Sequence, residues 1–271
     1  MPTPTQLDDP GAPPEPILEV RGLHKSFGPH DVLRGIDLKI EKGLITVIIG
    51  GSGSGKSVLV KHLIGLLRPD RGTILLHGRD LADMDRSELI EARTKFGMLF
   101  QMGALFDSMT VYENVAFPLR EHRRGMKRAE ERELVIDALE TLNLFNVEDK
   151  FPSELSGGMR KRVALARATI LKPEIIIYDE PTTGLDPMMI KQVDDMIAET
   201  QERFQATSVV ISHDMASTFR IAHRVAMLHK GQIRVYGTPE TLRESDDPIV
   251  RQFIFVSGTG PLQAPGQEAS A

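Results

Sequence analysis

Apolar residues follow two different periods along this chain, and each period predicts a different kind of element. Apolar and polar positions alternate at residues 17–21 and 32–40, which is typical of antiparallel strands. Apolar runs at 44–49 and 175–178 instead predict buried strands, and the second run leaves no polar face, as in a parallel sheet. Helical spacing begins after Lys56. Strands and helices in this succession predict an α/β fold.

The two ends of the chain differ in composition from the rest. Residues 1–16 are rich in proline and carry aspartate and glycine, so they cannot bury enough apolar surface to offset the entropy of ordering. Residues 258–271 return to glycine, proline, glutamine and serine. We therefore expect a disordered tail at 1–16, a folded domain at 17–253 and a flexible tail at 254–271.

Composition and charge argue against several classes of protein. The 271 residues have a formal net charge of −5, which is unfavourable for a nucleic-acid binder held by bulk charge. Cysteine is absent, which excludes disulfide scaffolds and thiolate zinc sites. No apolar run reaches the roughly 18 residues of a membrane span, and the first residues lack a signal-peptide pattern. We expect a soluble chain that would need other subunits to work at a membrane.

A stretch of residues after the strand at 44–49 fits the phosphate-loop pattern G-x-x-x-x-G-K-[ST] at every fixed position. Its members are Gly50, Gly51, Ser52, Gly53, Ser54, Gly55, Lys56 and Ser57. Glycines let backbone N–H groups converge on phosphate oxygens, and the helix start adds a favourable dipole. Lys56 is expected to reach the β- and γ-phosphates of a nucleotide, and Ser57 to ligate Mg²⁺. The alternative is a glycine-rich turn that binds nothing.

A second helix start has the same anion-binding character. Ser156, Gly157 and Gly158 lie within the sequence LSGGM at 155–159, directly before a strong helix-forming segment. An ordinary N-cap would explain the serine but not both glycines. Because the first loop already cradles its own nucleotide, this second start is expected to serve a nucleotide held by another copy. Two copies arranged head to tail satisfy that condition.

Polar residues at strand ends complete the candidate chemistry. Asp179 is placed to hold Mg²⁺ through water, and Glu180 to orient and polarise an attacking water as general base. His213 follows the apolar strand at 207–212 and is a candidate γ-phosphate sensor, although a lone histidine is usually structural. Phe27 could offer its ring to a nucleobase, or it could be an ordinary hairpin residue.

Three further features accompany these motifs: a glutamine after a strand, GLDP at 184–187 and SHD at 212–214. The order of all of them resembles that in an ABC-transporter ATPase subunit, and the resemblance covers about 17–251. The resemblance implies a P-loop NTPase (RecA-like) core with a mixed central sheet, an antiparallel β-subdomain and an inserted helical signature subdomain at about 102–160. It also implies ATP and Mg²⁺ as cofactors, ATP hydrolysis coupled to transport, and a homodimer.

Some residues take their roles from the resemblance alone. Gln101 would be the Q-loop ligand of Mg²⁺ that couples the site to a permease, and Asp186 would be the D-loop contact. Phe27 would stack on adenine in place of the tyrosine often found there. The signature would act across the dimer. The residues implied in catalysis are Lys56, Gln101, Glu180 and His213.

A finer resemblance lies at 98–122, MLFQMGALFDSMTVYENVAFPLREH, followed by PSELSGGMRKRVALARA. These sequences resemble the ATPase of bacterial MCE-type, Mla-like systems, which move phospholipid between inner and outer membranes and maintain outer-membrane lipid asymmetry. The resemblance implies permease subunits, an MCE substrate-binding protein and a STAS-domain subunit as partners, without nucleic acid, at the cytoplasmic face of the inner membrane. Ala104, Leu105 and Phe106 would line the groove for the permease, or pack in the helical core.

Three alternatives stay open at this point. The chain could be the ATPase of an importer for another cargo, such as an amino acid. It could be a soluble ABC protein that acts on DNA or ribosomes, although those proteins usually carry two cassettes or a long coiled coil. It could also be a nucleotide-binding scaffold without hydrolysis, which the presence of Glu180, His213 and Gln101 disfavours.

Overall fold

The computed structural model of the chain describes residues 16–100, 103–123 and 125–256, and within these ranges the strands form two sheets. In chain order the strands are β1 (Pro16–Phe27), β2 (His30–Glu41), β3 (Ile45–Ile49), β4 (Arg71–Leu76), β5 (Arg79–Asp80), β6 (Phe96–Leu99), β7 (Ile175–Asp179), β8 (Thr207–Ser212), β9 (Arg224–His229) and β10 (Gln232–Gly237). One sheet is antiparallel, in the order β2-β1-β4-β5. The other has the order β10-β9-β3-β8-β7-β6, and only its β9-β10 pair is antiparallel. The predicted mixed central sheet and antiparallel β-sheet are both confirmed.

Helices connect these strands, and their starts follow capping patterns in the sequence. In chain order they are α1 (Lys56–Leu63), α2 (Arg86–Thr94), α3 (Val111–His122), α4 (Arg128–Thr141), α5 (Gly157–Thr169), α6 (Pro187–Phe204), α7 (Met215–Ile221), α8 (Pro239–Arg243) and α9 (Pro248–Val256). Asp85 with Glu88 and Thr110 with Glu113 form reciprocal capping boxes at α2 and α3. Among the helices of the described ranges, none combines the length and the apolar character that crossing a bilayer requires.

The central sheet is buried on both faces, and β3 illustrates this. Ile45, Val47 and Ile49 pack into a hydrophobic core shared with α3, α5, α6 and α9. Ile48 packs into a second core shared with α1 and the antiparallel sheet. All residues of β3 are buried, which explains why its sequence is an apolar run without alternation. The loops at the carboxyl ends of these strands are therefore where polar side chains can meet a ligand.

Helices α3, α4 and α5 lie between β6 and β7. Val115 of α3, Leu139 of α4 and Val163 of α5 are at most 1% exposed and share one hydrophobic cluster. This packing supports the predicted helical subdomain at about 102–160. The division of the chain into a domain with this subdomain nevertheless stays a prediction.

Regular structure extends slightly beyond 17–253 at both ends, and the predicted division into a domain and two tails stays a prediction. β1 begins at Pro16, which pairs with Glu41, so residue 16 belongs to the antiparallel sheet. At the other end, α9 continues to Val256, and Ile254 is only 3% exposed. Val250 and Ile254 lie four residues apart on one helix face and bury it against the core. The remaining parts of both predicted tails, 1–15 and 257–271, lie outside the described residues.

Candidate nucleotide site

The predicted phosphate loop connects β3 to α1 at the carboxyl edge of the mixed sheet, where β3 lies between β8 and β9. Close packing requires glycine at two of its positions. A Cβ at Gly50 would lie 2.2 Å from the carbonyl oxygen of Leu228 in β9. A Cβ at Gly55, where φ is 109°, would lie 2.9 Å from Leu33 Cδ2 in β2. The loop backbone is therefore held tightly between the two sheets.

The loop forms one wall of an open cavity of about 740 Å³. This volume lies within the roughly 300–1,000 Å³ that is usual for small-molecule sites. The other walls come from Val32 of β2, Glu180 and Thr183 after β7, His213 after β8 and Phe253 of α9. The structure thus brings together three features that the sequence predicted separately: the loop, Glu180 and His213. Val32, Thr183 and Phe253 were not predicted.

Lys56 is the first residue of α1, and its side chain folds back over the loop. Its Nζ donates to the carbonyl oxygens of Gly50 at 2.7 Å and Gly51 at 3.2 Å. It lies 3.8 Å from Glu180 Oε1, and only 10% of the lysine side chain is exposed. The ammonium group is therefore already largely desolvated at the cavity wall. Phosphate oxygens, which carry full negative charge, are stronger acceptors than these carbonyl oxygens.

Glu180 directly follows β7 and contacts the predicted histidine. Its Oε2 accepts hydrogen bonds from His213 Nδ1 at 2.6 Å and from the Thr183 hydroxyl at 3.0 Å. Its backbone lies in the left-handed region, with a φ of 51°. A non-glycine residue held in that region costs roughly 1–3 kcal/mol. The backbone conformation at Glu180 is therefore unfavourable in itself, and the surrounding contacts, including that with His213, must stabilise it.

Asp179 is the last residue of β7, and its side chain is half-buried. Burial raises the pKa of this carboxyl, the neighbouring charge on Glu180 raises it further, and Lys56 opposes both effects. Two adjacent carboxylates at one strand end repel each other. Additional positive charge at this place would stabilise their ionised forms.

The predicted signature residues begin α5 and do not line the loop cavity. Ser156 is the N-cap of the helix, and its Oγ accepts from the Met159 N–H at 3.3 Å. Among the described residues, a Cβ at Gly157 would meet only Arg160 Nη2, at 3.9 Å, and a Cβ at Gly158 would meet nothing within 4 Å. Gly158 instead borders a separate groove of about 730 Å³ beside α6. The N-cap explains Ser156, whereas packing requires neither glycine.

Two further predicted residues do not line the cavity. Asp186 caps α6, and its Oδ1 accepts from the backbone N–H groups of the second and third helix residues at 3.0 Å each. Phe27 ends β1 and is 46% exposed, with Lys25 Nζ 5.6 Å from the ring centre, and it is not a lining residue of the cavity. Gln101 lies outside the described residues. The roles assigned to Asp186, Phe27 and Gln101 therefore stay predictions.

A lysine connects the signature helix to the segment that carries Glu180. Lys161 lies in the second turn of α5, and its Nζ donates to the Pro181 carbonyl oxygen at 2.6 Å. Burial lowers the pKa of this ammonium group. Because Pro181 directly follows Glu180, this contact joins the signature helix to the segment that carries the predicted general base. Sequence reasoning missed it.

Comparison with known proteins agrees with this geometry. The family model for the ABC transporter matches residues 33–183. The chain is 38% identical over 246 residues to the intermembrane phospholipid transport system ATP-binding protein MlaF of Escherichia coli (strain K12), covering 91% of each protein. It is 44% identical over 245 residues to the probable ribonucleotide transport ATP-binding protein mkl of Mycobacterium leprae (strain TN), covering 90% of this chain and 70% of that protein.

Two solved structures share the fold. One is cbiO1 from Clostridium perfringens, part of the ABC transporter complex cbiONQ, with a TM-score of 0.78 and 30% identity over 89% of this chain and 95% of that one. The other is the dimeric post-hydrolysis state of the ATP-binding cassette MJ0796 bound to ADP and Pi, with a TM-score of 0.72 and 30% identity over 82% and 98%. The family match, the relatives and the shared fold show that this chain belongs to the ABC transporter family, as an ATP-binding subunit that hydrolyses ATP.

Proposed function

We propose that two copies of this ATPase pair head to tail, so that each ATP lies between the phosphate loop of one copy and residues 156–158 of the other. The observation that carries this proposal is the separation of the two regions within one chain. Within the part of the chain that the structure describes, Ser156, Gly157 and Gly158 do not line the loop cavity, and packing requires neither glycine. Backbone N–H groups at the start of α5 are suited to a phosphate that the same chain does not supply. The MJ0796 cassette is a dimer, which supports such pairing.

Catalysis in each composite pocket would use groups that already contact one another. Lys56 would exchange the loop carbonyl oxygens for β- and γ-phosphate oxygens. Glu180 would orient the attacking water and accept its proton, while His213 and Thr183 fix the carboxylate. The His213 side chain is 57% exposed, so it can contact the terminal phosphate while it holds Glu180.

The oxygen donors beside the loop fit Mg²⁺. Ser57 offers an exposed hydroxyl in the first turn of α1, and Asp179 offers a carboxylate at the end of β7. The described residues contain no group of three or more His, Asp or Glu side chains that could hold a metal alone, which fits an ion shared with nucleotide phosphates. We propose that Ser57 and Gln101 ligate Mg²⁺ and that Asp179 holds it through water. The bound ion would neutralise charge on the β- and γ-phosphates.

The cargo that the relatives support best is phospholipid, moved between the bacterial inner and outer membranes. The chain and MlaF correspond over 91% of both proteins, and MlaF belongs to an intermembrane phospholipid transport system. We propose permease subunits, an MCE substrate-binding protein and a STAS-domain subunit as partners, and a place at the cytoplasmic face of the inner membrane through the permease. This arrangement would contribute to the lipid asymmetry of the outer membrane.

A second candidate cargo also has support. The mycobacterial mkl proteins, at 44% identity, carry the name of a probable ribonucleotide transporter. The alignment covers only 70% of those proteins, so about a third of their length is not matched by this chain. Correspondence over nearly the whole length of MlaF therefore favours phospholipid.

The pairing can be tested by cross-linking, because the chain contains no cysteine. In a Glu180→Gln background, the pair Ser52→Cys and Ser156→Cys should form cross-linked dimers with a short bis-maleimide when ATP and Mg²⁺ are present. The control pair Ser52→Cys and Ser87→Cys places the second thiol at the exposed start of α2 and should remain monomeric. A protein that binds ATP but gives no Ser52–Ser156 cross-link would contradict the head-to-tail arrangement.

The cargo is tested separately by purifying the complex from membranes with the ATPase as bait. Mass spectrometry should find a permease and an MCE protein, and lipid extraction of the complex should yield phospholipid. Recovery of a nucleoside-binding partner without phospholipid would favour the ribonucleotide alternative.

A further inference from the structure

A buried carboxylate connects α6 to α7, the helix that begins just after the cavity residue His213. Asp194 of α6 has no exposed surface, and it accepts hydrogen bonds from the Ser217 hydroxyl and the Arg220 guanidinium group of α7. Burial raises the pKa of Asp194, whereas the two donors lower it. Buried ion pairs are weak evidence for stability, because apolar residues of similar size often replace them without loss. Because both donors belong to α7, the contact sets the position of α7 against α6.

The position of the two helices shows what that role can be. α6 begins directly after Asp186, and α7 begins at Met215, two residues after His213. α7 spans only seven residues, so its own hydrogen bonds cannot fix its position, and contacts with other elements must do so. Asp194 supplies polar contacts of this kind, beside the apolar packing of Met215 and Ile221.

Hydrogen bonds and one peptide bond connect Asp194 to the Glu180 carboxylate. Ser217 donates its hydroxyl to Asp194 and its backbone N–H to Asp214 Oδ1, at 2.9 Å for the latter. Asp214 caps α7 and is covalently joined to His213, whose Nδ1 lies 2.6 Å from Glu180 Oε2. Every step of this path is a short polar contact or a peptide bond.

We infer that Asp194 is a positioning residue for ATP hydrolysis, which keeps the His213 ring on the Glu180 carboxylate by fixing α7 against α6. The inference rests on the proposed roles of Glu180 and His213. Asp194 would act through Ser217, Arg220 and the start of α7, without contacting ATP or the attacking water itself.

The adjacent residue provides a matched control. Asp195 has the same side chain one position later, but it is 47% exposed and pairs with Lys191 on the surface of α6. Asp194→Asn should lower kcat about tenfold with an unchanged KM for ATP, less than the roughly hundredfold cost of a 1 Å misplacement at a reacting group. Asp195→Asn should stay within about twofold of the parent, as is usual for an exposed ion pair. A kcat of Asp194→Asn within twofold of the parent would overturn the inference.

A spectroscopic readout separates positioning from general damage. In histidine-labelled protein, the His213 ring cross-peak, assigned with His213→Ala, should shift in Asp194→Asn and stay unchanged in Asp195→Asn. An unchanged His213 peak in Asp194→Asn would overturn the inference whatever the activity. If Asp194→Asn does not fold, Ser217→Ala removes one donor to Asp194 and should shift the same peak. Arg220→Lys, which keeps a positive donor, should retain more activity than Arg220→Gln.

A double-mutant cycle distinguishes failure of this inference from failure of the proposed function. With His213→Ala already present, Asp194→Asn should change the residual kcat by less than twofold. If it lowers kcat equally in both backgrounds, Asp194 does not act through His213 and the inference fails alone. If His213→Ala itself keeps the full kcat, the proposed role of His213 fails and the inference fails with it.

Discussion

The two phosphate-binding regions of this chain are built in opposite ways. At the phosphate loop, Lys56, Glu180 and His213 are joined by contacts of 3.8 Å or less within one chain. At the start of α5, Ser156 caps its own helix, and no neighbour within 16–100, 103–123 and 125–256 requires glycine at the next two positions. The first region can bind and polarise a nucleotide with its own groups. The second offers backbone donors to a ligand that its own chain does not hold.

This difference separates what the subunit does alone from what it does as a pair. Binding of ATP at the loop should be a property of each copy. Hydrolysis should depend on subunit concentration, because each pocket is completed by mass action. Substitutions at the first region should therefore act at every concentration, and substitutions at the second should act mainly on the paired state.

The largest effect is expected for Glu180→Gln, which keeps the size of the side chain and removes the base. A general base contributes roughly 10²–10⁴-fold, so turnover should fall by that factor while ATP binding persists. Steady-state phosphate release and equilibrium binding of a labelled ATP analogue measure the two quantities. Unchanged turnover would remove Glu180 from its proposed role.

Lys56→Ala should act on binding first. The ammonium group is largely desolvated beside the loop, and a charged hydrogen bond contributes roughly 1.5–3 kcal/mol, so nucleotide affinity should fall roughly 10–100-fold. Titration with a fluorescent ATP analogue at subunit concentrations far below those of pairing isolates this effect. Retention of the parent affinity would show that the loop does not hold the phosphates as proposed.

Ser156→Asp tests the second region without removing the helix cap. Aspartate is as good an N-cap as serine, but its charge would repel a phosphate, so turnover should fall about tenfold or more while the melting temperature stays near that of the parent. Thr110→Asp makes the same change at the capped start of α3, which has no predicted nucleotide contact, and should leave turnover unchanged. Equal losses in both variants would argue against a trans-acting signature.

Lys161→Met should have a smaller effect on turnover, because Lys161 connects the signature helix to the segment after Glu180. The variant keeps the length of the side chain but loses the donor to Pro181, so the segment after β7 becomes less constrained. A hydrogen bond from a charged group contributes roughly 1.5–3 kcal/mol, and only part of this should be lost from the transition state, so turnover should fall a few fold with ATP affinity unchanged. Lys172→Met, at an exposed position after α5, is the control. A loss of affinity instead of turnover would place Lys161 at the loop.

The smallest effect concerns stability, away from both regions. Arg120 of α3 donates to Glu131 of α4, and this hydrogen bond is the main cause that lowers the pKa of Glu131. Because the folded-state pKa lies below the ordinary value of 4.5, the stabilisation is present above that value and fades as the pH falls towards the lowered one. Glu131→Gln should therefore lower the free energy of unfolding by less than about 1 kcal/mol at neutral pH, because Arg120 is half-exposed. Denaturant titrations at pH 7 and below pH 4 should show this difference shrink.

Local patterns in the sequence account for much of the fold. The apolar runs of β3 and β7, the phosphate loop between β3 and α1, and the capping box at Thr110 and Glu113 depend on neighbouring residues only. Such features can be predicted because each one is set by spacing within a few residues.

Contacts between distant segments could not be predicted in the same way. Glu180 and His213 are 33 residues apart, and only the parallel pairing of β7 with β8 brings their strand ends together. Phe253 reaches the cavity because α9 packs on the core, and the apolar spacing of Val250 and Ile254 was a sequence signal for this helix. Asp194 also left a signal, because it lies on the apolar face of α6, three residues before Ile197.

The left-handed backbone at Glu180 has a consequence for directed evolution of this enzyme. Glycine and asparagine tolerate that conformation better than glutamate does, so screens that reward heat resistance alone should enrich Glu180→Gly and Glu180→Asn. Both changes would relieve the backbone strain at position 180, which raises stability, and would remove the general base, which abolishes efficient ATP hydrolysis. Selection for stability and selection for ATP hydrolysis therefore favour different residues at position 180.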